Sequence, residues 1–553
     1  MVYLDPYSPS LDHEKPSTPH PQRSQRRKLA FPCVAITALL SLVLGSILLA
    51  KTTLRLGRFS PAPEAEHSLY TGAASIRAIN NNTVLIYKTG HSVIYDRLPM
   101  QLIEPRPDIP NRLVYSDVKL QIGGHTVIDA LENASVPEHW TEEHKEYRRL
   151  QCAKQDGLSV APSKQGWKLD RYKFAPITTH AWKAFPNATW FIIADGDTYI
   201  MWSTLMRWLD RSFANPVSRG WYLGFDEFYD ASKEQFFAHG GAGIIMSKGL
   251  LDNLHRGDPN GKRLMEDYRF VSATCGDCAL GLVISKLPGR TAHTDAGRDL
   301  FHHDGLDMVI FRPRLWHSYL LSLHHNSAAE LNMLRQWEKR LLPTLPEWDG
   351  VRYCDVLFGL APPFLREPLS AYVRANNAAA ASVKAPQQRQ RQRQTSSSSD
   401  TALVEPLPAL NRTVIKAAWK VEQVDGVSCS LTCLKKQGKP SHLESCQSAC
   451  DAHPSCFQWY LNGYRCSLAI NGFRIGRPAS SSAMVTGWRV DRIAELERAM
   501  PCSNSSYRAF ADERGIGLEA GRADEVNTGL DQGWYLPPLP NRPQVGWGTK
   551  LGL

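Results

Sequence analysis

The run Trp190-Phe-Ile-Ile-Ala194 passes directly into Asp195-Gly196-Asp197. A short apolar run closed by a glycine turn reads as a buried strand. Two further runs join it. Val84-Leu-Ile-Tyr87 reads as a strand, and Arg112 to Leu120, with Val114 and Tyr115 beside Ser116 and Asp117, reads as a strand and its loop. Helical patterns fall between these runs, over 141–151, 172–185 and 204–212. Strands alternating with helices predict an α/β layer fold with a mostly parallel sheet. In such sheets ligands sit beyond the carboxyl ends of the strands, which is where Asp195 and Asp197 fall.

Two carboxylates on one tight turn repel each other unless a cation lies between or beside them, and Gly196 lets the backbone turn tightly. Magnesium and manganese take oxygen ligands, often completed by phosphates. The pair is therefore a candidate metal site for a diphosphate group, with a plain surface turn as the alternative. Gly240-Gly241-Ala242-Gly243 lacks the pattern of a phosphate-binding loop and reads as a close approach of backbone to ligand, or as a strand bend. Lys173 either reaches a diphosphate as a cation or stands exposed on its helix. Trp221 and Trp316 read as buried packing, with stacking on a ligand ring as the alternative.

The chain has 553 residues, more than one ordinary domain holds. Leu29 to Ala50 carries no charge and, at about 22 residues, would span ~33 Å as a helix, enough for a bilayer core. A cleaved signal peptide has a shorter apolar region and a shorter polar stretch before it. Arg23, Arg26, Arg27 and Lys28 precede the run; the sequons at Asn81, Asn133, Asn187, Asn411 and Asn504, and all but Cys33 of the 12 cysteines, follow it. These features predict a single-pass type II protein of the Golgi or another secretory-pathway membrane: cytosolic tail 1–28, transmembrane signal anchor 29–50, stem 51–80 and a lumenal remainder.

Within that remainder, 81–374 is patterned and globular. Residues 375–410, with an alanine run, a Gln/Arg alternation and four serines from Ser396 to Ser399, read as a low-complexity linker. Cys429, Cys433, Cys446, Cys450, Cys456 and Cys466 lie in 411–495, and in an oxidising lumen they read as a disulfide framework rather than a zinc site. Residues 496–553 read as a tail. The net charge of +10 owes much to 23–28 and 389–393, which are solvated segments, so no nucleic-acid partner is expected.

From Asp170 to Leu209 the chain reads DRYKFAPITTHAWKAFPNATWFIIADGDTYIMWSTLMRWL. Further blocks follow in order: Tyr222-Leu-Gly224; Phe237-Ala-His-Gly-Gly-Ala-Gly243 with Ser247; Cys275-Gly-Asp-Cys-Ala-Leu-Gly281; and Ser322-Leu-His-His325 with Ser327 to Leu331. Together they resemble the motifs of glycosyltransferase family 31, nearest to the Fringe-like enzymes and their fungal and plant relatives. The resemblance implies a GT-A fold, that is, a nucleotide-sugar-binding, Rossmann-like α/β catalytic domain. It implies inverting transfer of a hexose or N-acetylhexosamine from a UDP-sugar to a hydroxyl of a glycan or glycoprotein acceptor, with Mn2+ or Mg2+ and a β-1,3 linkage.

By matched position, Asp197 is the metal ligand and Asp195 lies near the nucleotide ribose or a metal-bound water. His324 or His325 completes the metal site, His324 being preferred, and His302 and His303 are a competing pair. Gly196 stands where Fringe enzymes carry another acid. Gly240, Gly241 and Gly243 form the substrate loop. Asp277 matches the catalytic base, which must come within hydrogen-bond reach of the acceptor hydroxyl; on residue type alone it reads as an N-cap for a helix over 279–286.

Cys275 and Cys278 read as members of a structural bond. The stretch CQSACDAHPSCFQWYLNGYRCSLAINGFRIG resembles a PAN/Apple module, which implies a small disulfide-rich α+β domain with a carbohydrate or protein ligand. The competing reading of the whole chain is a non-catalytic, lectin-like membrane protein with a degenerate transferase domain.

Overall fold

Chain order gives β1 (Thr83–Lys88), β2 (Asn111–Ser116), β3 (Leu120–Ile122), β4 (His125–Asp129), α1 (Thr141–Gln155), α2 (Phe174–Ala184), β5 (Trp190–Asp195), β6 (Tyr199–Ile200), α3 (Trp202–Ser212), β7 (Tyr222–Gly224), β8 (Asp226–Asp230), β9 (Gln235–Ala238), β10 (Ile244–Ser247), α4 (Gly276–Ile284), β11 (Phe301–His302), β12 (Ser322–Leu323), α5 (Ala328–Leu341) and α6 (Pro363–Gln392). A second group follows: β13 (Thr413–Ala417), β14 (Trp419–Lys420), β15 (Ser428–Ser430), α7 (His442–Ala452), β16 (Gln458–Asn462), β17 (Arg465–Ala469), β18 (Arg477–Pro478), β19 (Met484–Arg489) and α8 (Val490–Ala499). The computed structural model describes residues 74–502 apart from 104–108, 133–140, 157, 159, 231–234, 268–274, 288–296, 347–348, 393–410, 422–427, 431–441, 464 and 471, all within one compact unit, Glu64–Leu553. The apolar run 29–50, the tail 1–28, most of the stem and residues 503–553 lie outside the described residues. Among those described, no helix is long and apolar enough to cross a membrane.

The main sheet has strand order β3-β4-β2-β1-β5-β10-β7. Strands β4, β2, β1 and β5 pair in parallel, and β3 and β10 run against them. The expectation of an α/β fold with a mostly parallel sheet holds, β3 and β10 being the strands that run the other way. The three parallel strands β2, β1 and β5 end in register: Lys88 pairs with Tyr115 on one side and Asp195 on the other. Polar side chains thus gather along one edge of the sheet, Lys88, Ser116, Asp117 and Asp195, beyond the fully buried interiors of β1 and β5 and the buried Val114 and Tyr115 of β2.

Helix α2 shows why the local sequence folds as it does. Phe174, Ile177, Thr178 and Ala181 are buried and recur at the spacing of one helix face. The helix stops before Phe185-Pro186, since a residue preceding proline avoids helical geometry. Apolar clusters cover the two faces of the sheet, one including Leu85, Ile192 and Trp208, the other Ile86, Phe191 and Leu280. Trp221 and Trp316 are buried in cores, in line with packing.

The second group forms an antiparallel sheet, β13-β19-β16-β17-β15, with α7 beside it. Disulfides join Cys446 to Cys466 and Cys450 to Cys456, as the disulfide reading expects. Cys275 and Cys278 are bonded to each other, and Cys152 is free and exposed. Helix α6 continues to Gln392, into the segment whose composition reads as a linker. The two groups share one core: Phe311, Trp316, Leu357 and Leu365 pack in the same cluster as Phe473, Trp488 and Ile493. Cys354 is joined to Cys502 across the boundary, and Trp316 Nε1 donates to the Met500 carbonyl at 3.0 Å.

Candidate active site

A second, small sheet brings the site together. Strand β12 pairs antiparallel with β6, Ser322 opposite Ile200 and Leu323 opposite Tyr199, and β11 pairs with β12, His302 beside Leu323. Continuing that register carries the chain after Leu323 back towards the turn after β5. There His324 Nε2 lies 3.3 Å from Asp197 Oδ1 and 3.7 Å from Asp195 Oδ2. The amide of Asn326 donates to the Asp197 carbonyl at 3.1 Å, and its side chain donates to the same oxygen, which locks the two loops.

The structure distinguishes the candidate histidines. His324 is buried, and its Nδ1 lies 3.0 Å from the His303 carbonyl. That contact places Nε2 towards the carboxylates. His325 is more exposed, with Nδ1 3.9 Å from Asp197 Oδ2, and its ring stacks on His324 with centroids 3.8 Å apart. Its φ of 56° is left-handed, a conformation that costs free energy for a non-glycine residue and tends to collect at functional sites. His302 turns away to the Tyr353 hydroxyl, 2.6 Å distant, and His303 pairs with Asp304 at 3.0 Å.

Asp197, His324 and His325 present ligand atoms within 4.8 Å of one another. Asp197 Oδ1 and His324 Nε2 are both buried and make no hydrogen bond among the described residues. Buried polar atoms are nearly always satisfied, and carboxylate and imidazole donors suit a divalent metal such as manganese. These residues fit such an ion.

The charges around them are balanced by neighbours that the sequence patterns did not single out. Lys88 Nζ is 2.8 Å from Asp195 Oδ1 and 2.6 Å from Asp170 Oδ2. Burial alone would lower the Lys88 pKa, but the two carboxylates outweigh it and raise it. Burial pushes Asp195 up, and Lys88 and His324 pull it below the ordinary carboxylate range. Burial likewise opposes the ionisation of Asp197, but His324, Arg97 and His325 bring it down to about 2; Arg97 Nε is 3.4 Å away. Burial disfavours a charged His324, yet Asp197 and Asp195 raise its pKa above the ordinary value. Lys88 carried a signal after all: it follows an apolar run directly, as Asp195 does.

Lys173 is enclosed rather than exposed. Its ammonium donates to the Thr89 carbonyl at 2.9 Å and lies 3.1 Å from Asp117 and 3.4 Å from Asp170. It thereby braces Asp170, the second partner of Lys88, and its ammonium is taken up within the protein.

Asp277 is not the N-cap of its helix. Cys275 holds the cap position of α4, and Asp277 lies in the first turn. Its carboxylate accepts the Gly240 amide at 2.8 Å and the Cys278 amide at 3.0 Å. Burial raises its pKa, offset only in part by those two amides. Gly240 and Gly241 therefore stand between two chemistries. Gly240 holds Asp277, while a Cβ on Gly241 would overlap the His324 ring. Gly243 adopts a φ of 107°, which side chains rarely tolerate. The glycine run accommodates the site's own side chains, an approach the pattern alone did not identify. Gly196 shows the same logic: a Cβ there would come 3.3 Å from Arg97, so glycine lets β1 and its loop close on the acidic turn.

Residues 136–336 match the family described as Fringe-like, and no curated protein matches the chain. The matched segment holds Asp195, Asp197, Gly240, Asp277 and His324, so this part of the chain is similar to the Fringe-like domains and carries a glycosyltransferase domain.

Proposed function

We propose that the chain is an inverting, metal-dependent glycosyltransferase that moves a hexose or N-acetylhexosamine from a UDP-sugar to a glycan or glycoprotein hydroxyl, in β-1,3 linkage. One observation carries this reading: the dipeptide Gly240-Gly241 has Asp277 hydrogen-bonded to its first residue and His324 packed on its second. A proton acceptor and a metal-ligand cluster thus flank the same short backbone, as a displacement between leaving group and nucleophile requires.

Asp197 and His324 would hold Mn2+ or Mg2+, with His325 at the edge, and the ion would neutralise the diphosphate that departs. Lys88 fixes Asp195 beside them, and Arg97 stays near Asp197 to limit repulsion between the carboxylates. Asp277 takes the proton of the acceptor hydroxyl as the new carbon–oxygen bond forms and the bond to UDP breaks. Its raised pKa suits that role, since a stronger base accepts the proton more readily.

The disulfides support an oxidising compartment, in keeping with a type II anchor at 29–50 and a lumenal catalytic domain in the Golgi or a related membrane. The PAN-like module is assigned a carbohydrate or protein ligand on its resemblance alone.

The test is calorimetric titration of UDP with and without manganese. UDP binding should require manganese and vanish in Asp197→Ala. Metal-independent binding, or none, would remove this reading and favour the non-catalytic, lectin-like one.

A further inference from the structure

The backbone partners of His324 lie on a segment whose far side touches the C-terminal module. Asp304 accepts the His324 amide at 3.1 Å, and the His303 carbonyl meets its ring nitrogen. The chain then leaves β11 and runs through a short 3-10 turn at Leu306–Met308 to Phe311. Among the described residues this stretch joins no strand of the main sheet. Its outer face is held by the loop 472–477. Phe311 and Phe473 exchange backbone hydrogen bonds at 2.8 and 3.1 Å, and their rings stack with centroids 5.4 Å apart. The Gly476 amide donates to the Asp307 carbonyl at 3.1 Å, Arg477 Nε lies 3.5 Å from Asp307 Oδ2, and Arg474 Nη1 lies 3.4 Å from Met308 Sδ.

The loop itself has little freedom. Gly476 has a φ of 75°, and a Cβ on Gly472 would meet the Phe311 carbonyl at 2.8 Å. Arg474 is tied back into the module through its amide, which donates to Gln458 Oε1 at 3.1 Å, and its carbonyl, which accepts Gln458 Nε2 and Trp488 Nε1, each at 2.8 Å. The loop thus packs against a segment whose apolar side chains Leu306, Val309 and Phe311 lie in the shared core, and that segment sets both the backbone and the ring of His324.

We infer that the 472–477 loop of the C-terminal module is a positioning element for His324, so that the module completes the transferase site. The inference rests on the reading of His324 as a metal ligand. Outer partners fix the orientation of a ligand imidazole, and their loss commonly weakens metal affinity about 10–100-fold.

The experiment uses the full chain and manganese alone, with free ion followed by electron paramagnetic resonance. Arg474→Gln combined with Arg477→Glu should weaken manganese binding about tenfold, and Arg477→Lys should retain most of the affinity. In the metal-free double variant, amides of 303–308 should exchange faster with solvent. Glu497→Gln is the control. It removes a contact between Glu497 and Trp316 at 3.2 Å, elsewhere on the shared interface, and should lower the melting temperature without changing manganese affinity. Unchanged affinity in the double variant, or an equal loss in Glu497→Gln, would overturn the inference alone. A wild-type chain that binds no manganese would overturn the proposed metal site and this inference with it.

Discussion

At the scale of single residues, the site depends on groups that are individually unfavourable. Asp195, Asp197 and His324 are brought together under cover, where a lone charge is costly, and Lys88, Arg97 and His324 offset the cost of the two carboxylates. The sign of the resulting pH dependence follows. His324 has a raised pKa in the metal-free protein, so its charged pairing with Asp197 stabilises the fold below the ordinary histidine value and is lost as pH rises through the raised one. Asp197 is depressed to about 2, so its contribution is present above the ordinary aspartate value and lost as pH falls towards that number. Metal binding needs a neutral His324. Manganese affinity should therefore rise with pH through the raised His324 value, with proton release measurable by calorimetry in buffers of different ionisation enthalpy.

Two substitutions test the residues around the glycine pair. Gly241→Ala puts a methyl group into the His324 ring and should weaken manganese binding by about 10–100-fold and lower the melting temperature as well, because the buried ring must give way. Asp277→Asn should lower kcat by about 10²–10⁴ with little change in donor KM. In the wild type, the acid limb of the pH–rate profile should lie above the ordinary aspartate value, because burial raises Asp277 and only its ionised form accepts a proton.

Among the elements, the strands that carry the site were legible because they are continuous apolar runs. β1 and β5 emerge within a residue or two of the sequence reading, and α3 covers the stretch read as helical. The short pairings were not legible. β6, β11 and β12 hold two residues each, too few to show a period, and yet they place His324 against Asp197. The choice between His324 and the pair His302–His303 therefore needed the register. The same limit hid the Cys354–Cys502 bond, whose partners stand 148 residues apart. A long loop closed in the unfolded chain has a large entropic effect. The Cys354→Ser, Cys502→Ser variant should lose roughly 2–5 kcal/mol of stability, measured by denaturant unfolding, with manganese affinity retained wherever the variant is folded.

For the whole molecule, composition divides the chain more sharply than the fold does. The cysteine-rich stretch and the transferase stretch read as separate units because a low-complexity segment lies between them. In the structure they share a core through Phe311, Phe473, Trp316 and Trp488, and α6 packs against α8 at the boundary. Contacts between residues more than a hundred positions apart leave no local pattern. The ordered motif blocks, by contrast, made the candidate site readable, since each block fixes a residue type that the chemistry needs.

UDP release from the full chain, across a panel of UDP-sugars with manganese, tests the proposal that Asp197 and His324 support metal-dependent transfer from a UDP-sugar. At least one donor should be turned over, with the activity abolished by a chelator, restored by manganese and reduced at least about 100-fold in Asp197→Ala. UDP release that persists without metal, or that Asp197→Ala leaves intact, would contradict it.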